Sequence, residues 1–503
     1  MSVKLLSAVS AIALFAAIAA PLPAFAADDA IIEKLSKMIE AQQKVLEAQS
    51  KELNTMRQEL KSLNTKQEAT TAALTKPATP VVSPINDPIP KKATAGIQPT
   101  APSSGVKTAD AHLPAERKYV EEGSFPGSIR IPGTGASFKI GGQVKMDGIY
   151  TPNNTPALAE DVFFTRTIQT NAASKTGRTR MLARDTRLNF DLRAPTEYGD
   201  LKVFSDFDLY GNAQANAQNQ LGGYDIRLRH AYVQIGQFLA GQSWSNFNDP
   251  ASFAETLDFA QVNGESFIRQ PQFRWTSLKH DDFTFAASAE NPEGDISDNT
   301  APGTGRRTNA DNLPDMVASL SLDKSWGHLQ TAALYRRIKV EGDTIAPVFS
   351  DSANGYGVNI GGRINTPLIN EKDTVRFQAN YGDGIGRYIN DLQNVGTESF
   401  DATVNASNTQ IDTLKAFGGY TSYQALFNPK WRSNLTGGYV TVSQPGYQPG
   451  TVLSSTAYAA ANVIWSPVPK LDVGFETLWG YRENKNDQSG NATRFITSVK
   501  YIF

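Results

Sequence analysis

The chain of 503 residues contains no cysteine and only four histidines, and charged residues make up 19% of it. The absence of cysteine excludes disulfide scaffolds, thiolate zinc sites and cysteine nucleophiles. Of the histidines, His230, His280 and His328 are isolated, and none belongs to a metal-ligand or catalytic motif, so we expect neither a cofactor nor an enzymatic activity. A net charge of −2 lacks the basic excess of a nucleic-acid-binding protein.

Long hydrophobic runs are also missing, apart from one at the start of the chain. Lys4 precedes an apolar run from Leu5 to Ala20, and Ala24 and Ala26 form an A-x-A cleavage site. This pattern is typical of a secretory signal peptide over residues 1–26. An uncleaved membrane anchor is the weaker alternative, because a spanning helix needs about 20 apolar residues. The exported protein is then either soluble or a β-barrel.

Residues 27–66 show an apolar repeat of seven residues without glycine or proline, which predicts an α-helical coiled coil. Its seam residues are Ile32, Leu35, Ile39, Leu46, Leu53, Met56, Leu60 and Leu63. A single amphipathic helix folded back on the remainder of the protein is the alternative, and the seam does not choose between two and three strands. Residues 67–134 are rich in proline, threonine and alanine, which predicts an extended linker.

From residue 135 to residue 503 the pattern changes to short segments of period two. Leu188, Phe190 and Leu192, for example, alternate with polar residues. Such strands have one apolar face, which packs against a core in a soluble sandwich and faces lipid in a membrane barrel. Period two alone does not separate these two architectures.

Three features favour the membrane barrel. The last strand, TRFITSVKYIF, ends on Phe503 and is similar to the signal by which the bacterial barrel-assembly machinery inserts outer-membrane proteins. Short turns alternate with long polar loops, and Trp326, Trp431 and Trp465 lie beside short turns, where an aromatic girdle contacts the lipid interface. We therefore predict an all-β transmembrane barrel of about 16 antiparallel strands, with 18 as the alternative, in outer-membrane lipid.

Several segments resemble DcaP-like outer-membrane porins of Gram-negative bacteria. They are FPGSIRIPGTGASFKIGGQVKMDGIY, RDTRLNFDLRAP, RLRHAYVQIGQFLAGQSWSNF, FIRQPQFRW, GDGIGRYIND and WSPVPKLDVGFE, spread over Phe125 to Phe503. The resemblance implies a homotrimeric porin of sixteen strands, with the coiled coil in the periplasm. It also implies that the pore passes small anionic solutes such as dicarboxylates.

The segment Gly241 to Phe267 occupies the position of the third long loop, which narrows the barrel in porins. It carries Glu255 and Asp258, which we predict to line a constriction, together with aromatic residues that would pack it against the wall. A surface loop that never enters the barrel is the alternative.

The wall opposite this loop is predicted to be basic. Alternation places Arg187, Arg227, Arg229 and Arg274 on polar faces, and Arg269 lies near the loop's return; Arg337, Arg363 and Arg376 are also predicted to face inward. Arginine-lined pores favour anions, because charge-assisted hydrogen bonds replace part of the anion's hydration shell. Alternatively, nearby aspartates neutralise these arginines and no selectivity results; the candidates are Asp185, Asp191, Asp206, Asp208 and Asp225.

These observations predict an outer-membrane porin for passive diffusion of small hydrophilic solutes, with a preference for anions. A ligand-gated transporter with a plug needs about 22 strands, for which the chain is too short. The remaining alternative is a structural or tethering protein, in which the coiled coil is the functional part and the barrel only anchors it in the membrane.

Overall fold

The computed structural model describes residues 121–153, 161–170, 177–211, 224–297, 308–341, 349–393 and 399–503. They fall within residues 111–503, one of two compact units of the chain; the other unit, residues 1–110, holds no described residue. The signal peptide, the coiled coil and most of the linker therefore lie outside the described residues. Among these, no helix has the length and apolar character needed to cross a membrane.

The described residues form sixteen long strands, of which the second is interrupted. They are β1 Ser137–Thr151, β2 Arg178–Leu182 and Arg187–Thr196, β3 Gly199–Asp208, β4 Arg227–Ile235, β5 Phe238–Trp244, β6 Arg269–Thr276, β7 Phe283–Glu290, β8 Asp315–Lys324, β9 Gly327–Glu341, β10 Ser350–Asn365, β11 Thr374–Asp383, β12 Lys415–Asn428, β13 Trp431–Val442, β14 Leu453–Trp465, β15 Leu471–Asn484 and β16 Ser489–Ile502.

Each strand pairs antiparallel with the next one along the chain, and β1 also pairs with β16 from Gln143–Ile502 to Tyr150–Phe495. The sheet is therefore a closed barrel, which leaves no sheet edge unpaired. The prediction of sixteen strands rather than eighteen is confirmed. A barrel of this size encloses an interior wide enough for an aqueous channel.

The strands expose their apolar side chains and bury their polar ones, which is the reverse of a soluble protein. On β10, Tyr356, Val358 and Ile360 are 59%, 51% and 54% exposed, whereas the polar Asn359 between them is fully buried. An apolar outer face and a polar inner face are what a lipid-embedded barrel requires. This inversion decides between the two architectures that the sequence pattern left open.

The tryptophans predicted to lie in an aromatic girdle all point outward. Trp326, Trp431 and Trp465 are among the exposed large side chains, and the rings of Trp431 and Trp465 stack at 5.8 Å. Phe503 is exposed as well, and its backbone N–H donates to the carbonyl of Gly142 at 3.1 Å. The chain end is therefore joined to β1 at the rim where the short turns lie.

Smaller elements occupy the loops at the opposite rim. Three 3₁₀ turns span Thr165–Thr167, Pro250–Ser252 and Gly386–Tyr388, and a small sheet joins Ile296–Ser297, Ala402–Val404 and Ile411–Thr413. A further short strand, Thr308–Asn309, extends the barrel sheet beside β9, whereas Ile129–Arg130 pairs with the start of β1 at the rim of the short turns. The described parts of the fourth and sixth long loops are thus linked to one another by this small sheet.

Candidate functional site

The segment between β5 and β6, residues 245–268, is the third loop, and it folds into the barrel. Tyr420 on β12 donates its hydroxyl to the carbonyl of Ser252 at 2.7 Å. Gln378 on β11 donates to the Ser252 hydroxyl at 2.9 Å and accepts from the backbone N–H of Ser266 at 2.8 Å. Since these partners face the barrel interior, the prediction that the loop enters the lumen is confirmed.

The tip of the third loop is fixed against the far wall by a single carboxylate. Glu476 on β15 accepts from the backbone N–H groups of Leu257 at 2.9 Å and Asp258 at 3.0 Å. Lys145 on β1 donates to the carbonyl of Leu257 at 2.7 Å. These two side chains satisfy backbone groups that would otherwise lose their water, so they determine where the tip lies.

Glu255 meets Arg432 of β13 in a bidentate pair, with distances of 2.7 and 2.9 Å. Arg432 also donates to Asp472 at 2.9 Å. Burial alone would raise the pKa of Glu255, but the hydrogen bonds and charge of Arg432, with the charges of Lys500 and Arg376, together hold the pKa below its ordinary value. Glu255 lines the cavity towards the short turns.

Asp258 does not line the lumen, and that prediction was wrong. Its side chain is only 2% exposed. It accepts from the backbone N–H groups of Phe163 at 3.3 Å and Ala260 at 2.9 Å, and Arg494 lies 3.8 Å away. The carboxylate turns into the contact between the loop and β16, where these donors replace its water.

Glu265, in the return of the third loop, is fully buried, and neither carboxyl oxygen has a hydrogen-bond partner among the described residues. Burial raises the pKa of Glu265 well above its ordinary value. A carboxylate without partners is costly in such surroundings, so the group is held in its neutral form.

The sixth loop, residues 384–414, also enters the barrel, which the sequence analysis did not predict. Asn390 donates to the carbonyls of Ala260 at 2.7 Å and Val262 at 2.8 Å in the third loop. Asp391 accepts from the Thr456 hydroxyl of β14 at 2.7 Å. Four apolar residues of this otherwise polar loop are fully buried, and their presence was the signal available in the sequence: Ile385, Tyr388, Ile389 and Leu392.

The wall of β2 to β4 carries paired arginines. Arg187 donates to Asp185 at 2.8 Å. Arg227 donates to both oxygens of Asp208, at 3.0 and 2.6 Å. Asp185 and Asp208, two of the aspartates predicted to neutralise the wall, are therefore partners of these arginines.

Arg229 reaches this wall through a β-bulge. Asp206 pairs with His230 and Phe207 with Leu228, so Arg229 is an extra residue on β4. A bulge turns two successive side chains to one face. Arg229 consequently donates to Asp206 at 2.9 Å and to Asp208 at 2.7 Å and is buried.

Arg269 and Arg274 differ from the other arginines of the wall. The guanidinium carbon of Arg269 lies 4.3 Å from the centroid of the Trp244 ring. Nη1 of Arg269 and Nε of Arg274 are buried without a hydrogen-bond partner among the described residues. Neither side chain forms an ion pair with a described carboxylate, so neutralisation of the wall is incomplete.

Two polar cavities lie on either side of the third loop. The cavity towards the short turns has a volume of about 560 Å³ and is lined by more basic than acidic side chains. The basic ones are Lys145, Arg187, Arg376, Arg432 and Lys500, and the acidic ones are Asp185, Glu255 and Asp472. The cavity towards the long loops, of about 440 Å³, is lined by Arg227, Arg269 and Arg387 with Glu293 and Asp295.

One of the additional arginine predictions was wrong. Arg337 lies on the outer face of β9 and donates to the Ser352 hydroxyl at 2.9 Å. Its neighbour Arg336 points inward and is fully buried, with Asp401 at 2.8 Å. Tyr335 is exposed on the outer face of β9. Because side chains alternate along a strand, the next residue, Arg336, faces inward and Arg337 faces outward. Arg376 does face inward and donates to the carbonyl of the loop residue Phe253 at 2.9 Å.

The solved structures that this chain is similar to include outer-membrane proteins. The outer-membrane channel DcaP of Acinetobacter baumannii superposes with a TM-score of 0.60 at 20% identity, covering 73% of this chain and 98% of that one. The anion-selective porin from Comamonas acidovorans gives a TM-score of 0.45 at 8% identity, with 73% and 100% covered. OmpT of Vibrio cholerae gives 0.44 at 11% identity, with 74% and 99% covered.

No curated protein sequence matches the chain. The family model described as the porin subfamily, by contrast, matches residues 127–501, which include all sixteen strands but the last residue of β16. The chain therefore belongs to the porin subfamily: it is an outer-membrane channel with a DcaP-like fold.

Proposed function

We propose that this channel passes small hydrophilic solutes by passive diffusion and favours anions, with dicarboxylates among its solutes. The observation that carries the proposal is the lining of the cavity towards the short turns, where five basic side chains meet three acidic ones. The excess of positive charge lies beside the third loop, where the lumen is narrowed. Selectivity depends on the charge at such a point rather than on the near-zero net charge of the chain.

The paired arginines still contribute to this lining. A guanidinium has five N–H donors in a planar fork, and Arg227 uses two of them on Asp208. The remaining donors are available to a passing carboxylate, which they can bind in bidentate geometry. Arg269 and Arg274, which form no ion pair with a described carboxylate, add positive charge that the wall aspartates do not cancel. The third loop would act as the size filter.

The test is the reversal potential of the purified protein in planar bilayers under a KCl gradient. We expect an anion preference that falls in Arg227→Ala and in Arg274→Ala. Arg337→Ala is the matched control, since this arginine faces outward and bonds to Ser352. A cation preference, or none, would remove the anion proposal and leave a porin with a neutralised wall. A protein that does not conduct would favour the tethering alternative.

We also propose that the channel is a homotrimer, as the resemblance to DcaP-like porins implies. Support comes from an outward-facing depression of about 720 Å³ on β4 to β9. It is lined by five alanines, Ala240, Ala287, Ala289, Ala318 and Ala333. Small residues allow another surface in the membrane to approach closely. The periplasmic coiled coil and the insertion signal at Phe503 remain predictions, to be tested by deleting residues 27–123 and residue 503.

A further inference from the structure

Three aromatic rings gather around Arg269 where β5 ends and the third loop begins and returns. The Trp244 ring lies 5.1 Å from the Phe253 ring and 4.8 Å from the Phe267 ring, centroid to centroid. Phe253 and Phe267 are 5.6 Å apart. Trp244, Phe253, Phe267 and Arg269 are called the aromatic corner below. All four side chains are partly exposed rather than sealed in a core.

The aromatic corner borders both polar cavities. Phe267 and Arg269 line the cavity towards the long loops. Phe253 lines the cavity towards the short turns. A solute that moves between the two cavities along this wall therefore passes two aromatic side chains as well as a guanidinium, with Trp244 packed between them.

The arrangement at Arg269 suits one class of anion. Its guanidinium lies 4.3 Å from the Trp244 ring and 5.5 Å from the Phe267 ring. Nη1 is buried without a hydrogen-bond partner among the described residues, while the side chain as a whole is partly exposed and lines the cavity towards the long loops. A small hydrated anion gains nothing from partly exposed aromatic rings. A carboxylate on a flat aromatic body, by contrast, can bind a guanidinium with its charge while its body packs against the rings.

The same combination of cation and ring recurs along this wall. Arg227 lies 5.5 Å from the Tyr210 ring and 5.1 Å from the Phe259 ring. On inward-facing positions of β3 and β4, Lys202 lies 5.1 Å from the Phe204 ring and 5.7 Å from the Tyr232 ring. Three cation–ring groups thus follow one another on β3 to β6 and the adjoining loops.

We propose that the aromatic corner is a solute subsite that selects, among small anions, those whose carboxylate is carried by a flat aromatic body. Arg269 binds the carboxylate, and Trp244 and Phe267 contact the body. The proposal rests on the anion passage proposed above and adds a preference that charge alone does not produce. Aromatic contacts of this kind correspond to a difference of roughly two- to tenfold in affinity.

The test compares benzoate with cyclohexanecarboxylate, which have the same charge and nearly the same size but differ in flatness and aromaticity. The readout is the concentration of each that halves the KCl conductance of the purified channel in planar bilayers. We expect benzoate to act at a roughly two- to tenfold lower concentration. Trp244→Leu should remove this difference. Trp465→Leu, on the outer face, is the matched control and should retain the difference.

The outcomes separate this inference from the function on which it rests. A native channel without anion preference in KCl would overturn the proposed function. A native channel that prefers chloride but responds equally to benzoate and cyclohexanecarboxylate would overturn the subsite alone, and so would a Trp244→Leu channel that keeps the full difference. If Trp244→Leu does not fold, Phe267→Leu serves as the second variant, and the native comparison still decides.

Discussion

The lumen has two walls with the same alternation of polar residues but different uses for them. On β9 to β16 and β1, inward polar side chains bond to the third and sixth loops, as Gln378, Tyr420 and Glu476 do. On β2 to β4 they bond to one another, as Arg227 and Arg229 do with Asp208. The first wall, called the covered wall below, anchors the two loops; the second, called the open wall, is held by its own ion pairs and is contacted by the ring of Phe259, 5.1 Å from Arg227.

The difference shows that an inward polar residue in a barrel has one of two roles, and that the loops decide which. A side chain that meets a buried backbone group becomes an anchor, because leaving that group unpaired costs free energy. A side chain that meets water keeps donors available for solutes. Positive charge that lines a cavity acts on the solute on either wall, and on the covered wall some of it also holds the loop, as Lys145 does.

We expect the largest effect when a side chain that anchors the third loop is removed from the covered wall. In Glu476→Leu the backbone N–H groups of Leu257 and Asp258 lose their carboxylate. We expect a loss of stability on the order of 3 kcal/mol, together with a larger and noisier single-channel conductance because the loop tip is released. Thermal unfolding and single-channel recordings measure the two effects.

Glu483→Leu is the control for this experiment. Glu483 lies on the same strand and accepts from the Tyr481 hydroxyl at 2.6 Å rather than from the third loop. Its replacement should leave conductance unchanged. If Glu476→Leu behaved in the same way as this control, the anchoring role of Glu476 would be wrong.

The sequence predicted the features that depend on local pattern. Alternation and turn residues predicted about sixteen strands, and the third-loop position in porins, together with the length and aromatic content of this segment, indicated that it enters the barrel. The inward direction of Arg187 and Arg227 follows from period two within one strand.

The errors arose where distant segments meet. Asp258 lies against Arg494 and Phe163, which no local pattern links to it. Arg229 was expected on the polar face and lies there, but through a bulge that was not predicted, because a mismatch between two strands is not visible in either strand alone. The sixth loop was missed because its buried residues find their partners across the lumen, at separations that periodicity does not report.

The open wall can be changed in the direction of greater selectivity. Asp208→Asn removes one negative charge while Arg227 and Arg229 stay in place. A unit charge about 10 Å away in water is worth roughly 0.4 kcal/mol, so the ratio of anion to cation permeability should rise about twofold. The reversal potential in a KCl gradient gives this ratio.

The control for Asp208→Asn is Asp282→Asn, which removes an equal charge from an exposed turn where it pairs with Lys324. This variant should leave the permeability ratio unchanged. An Asp208→Asn channel with unaltered or reduced anion preference would show that the wall aspartates do not limit selectivity.

The smallest expected effect is the pH dependence of anion preference that Asp295 causes. This residue lines the cavity towards the long loops. Burial, and then the neighbouring carboxylate of Asp401, raises the pKa of Asp295 to about 6, although Arg387 and Arg336 oppose this shift and Glu293 adds to it. Because the carboxyl is ionised above this pKa and neutral below it, acidification from pH 7.5 to pH 5 removes one negative charge from the lining. Anion preference should therefore increase by roughly a factor of 1.5.

In Asp295→Asn most of this pH dependence should vanish. The variant should already show at pH 7.5 the anion preference that the native channel shows at pH 5. An equal pH dependence in both channels would assign it to other carboxyls, and a fall in anion preference on acidification would contradict the sign derived from the raised pKa.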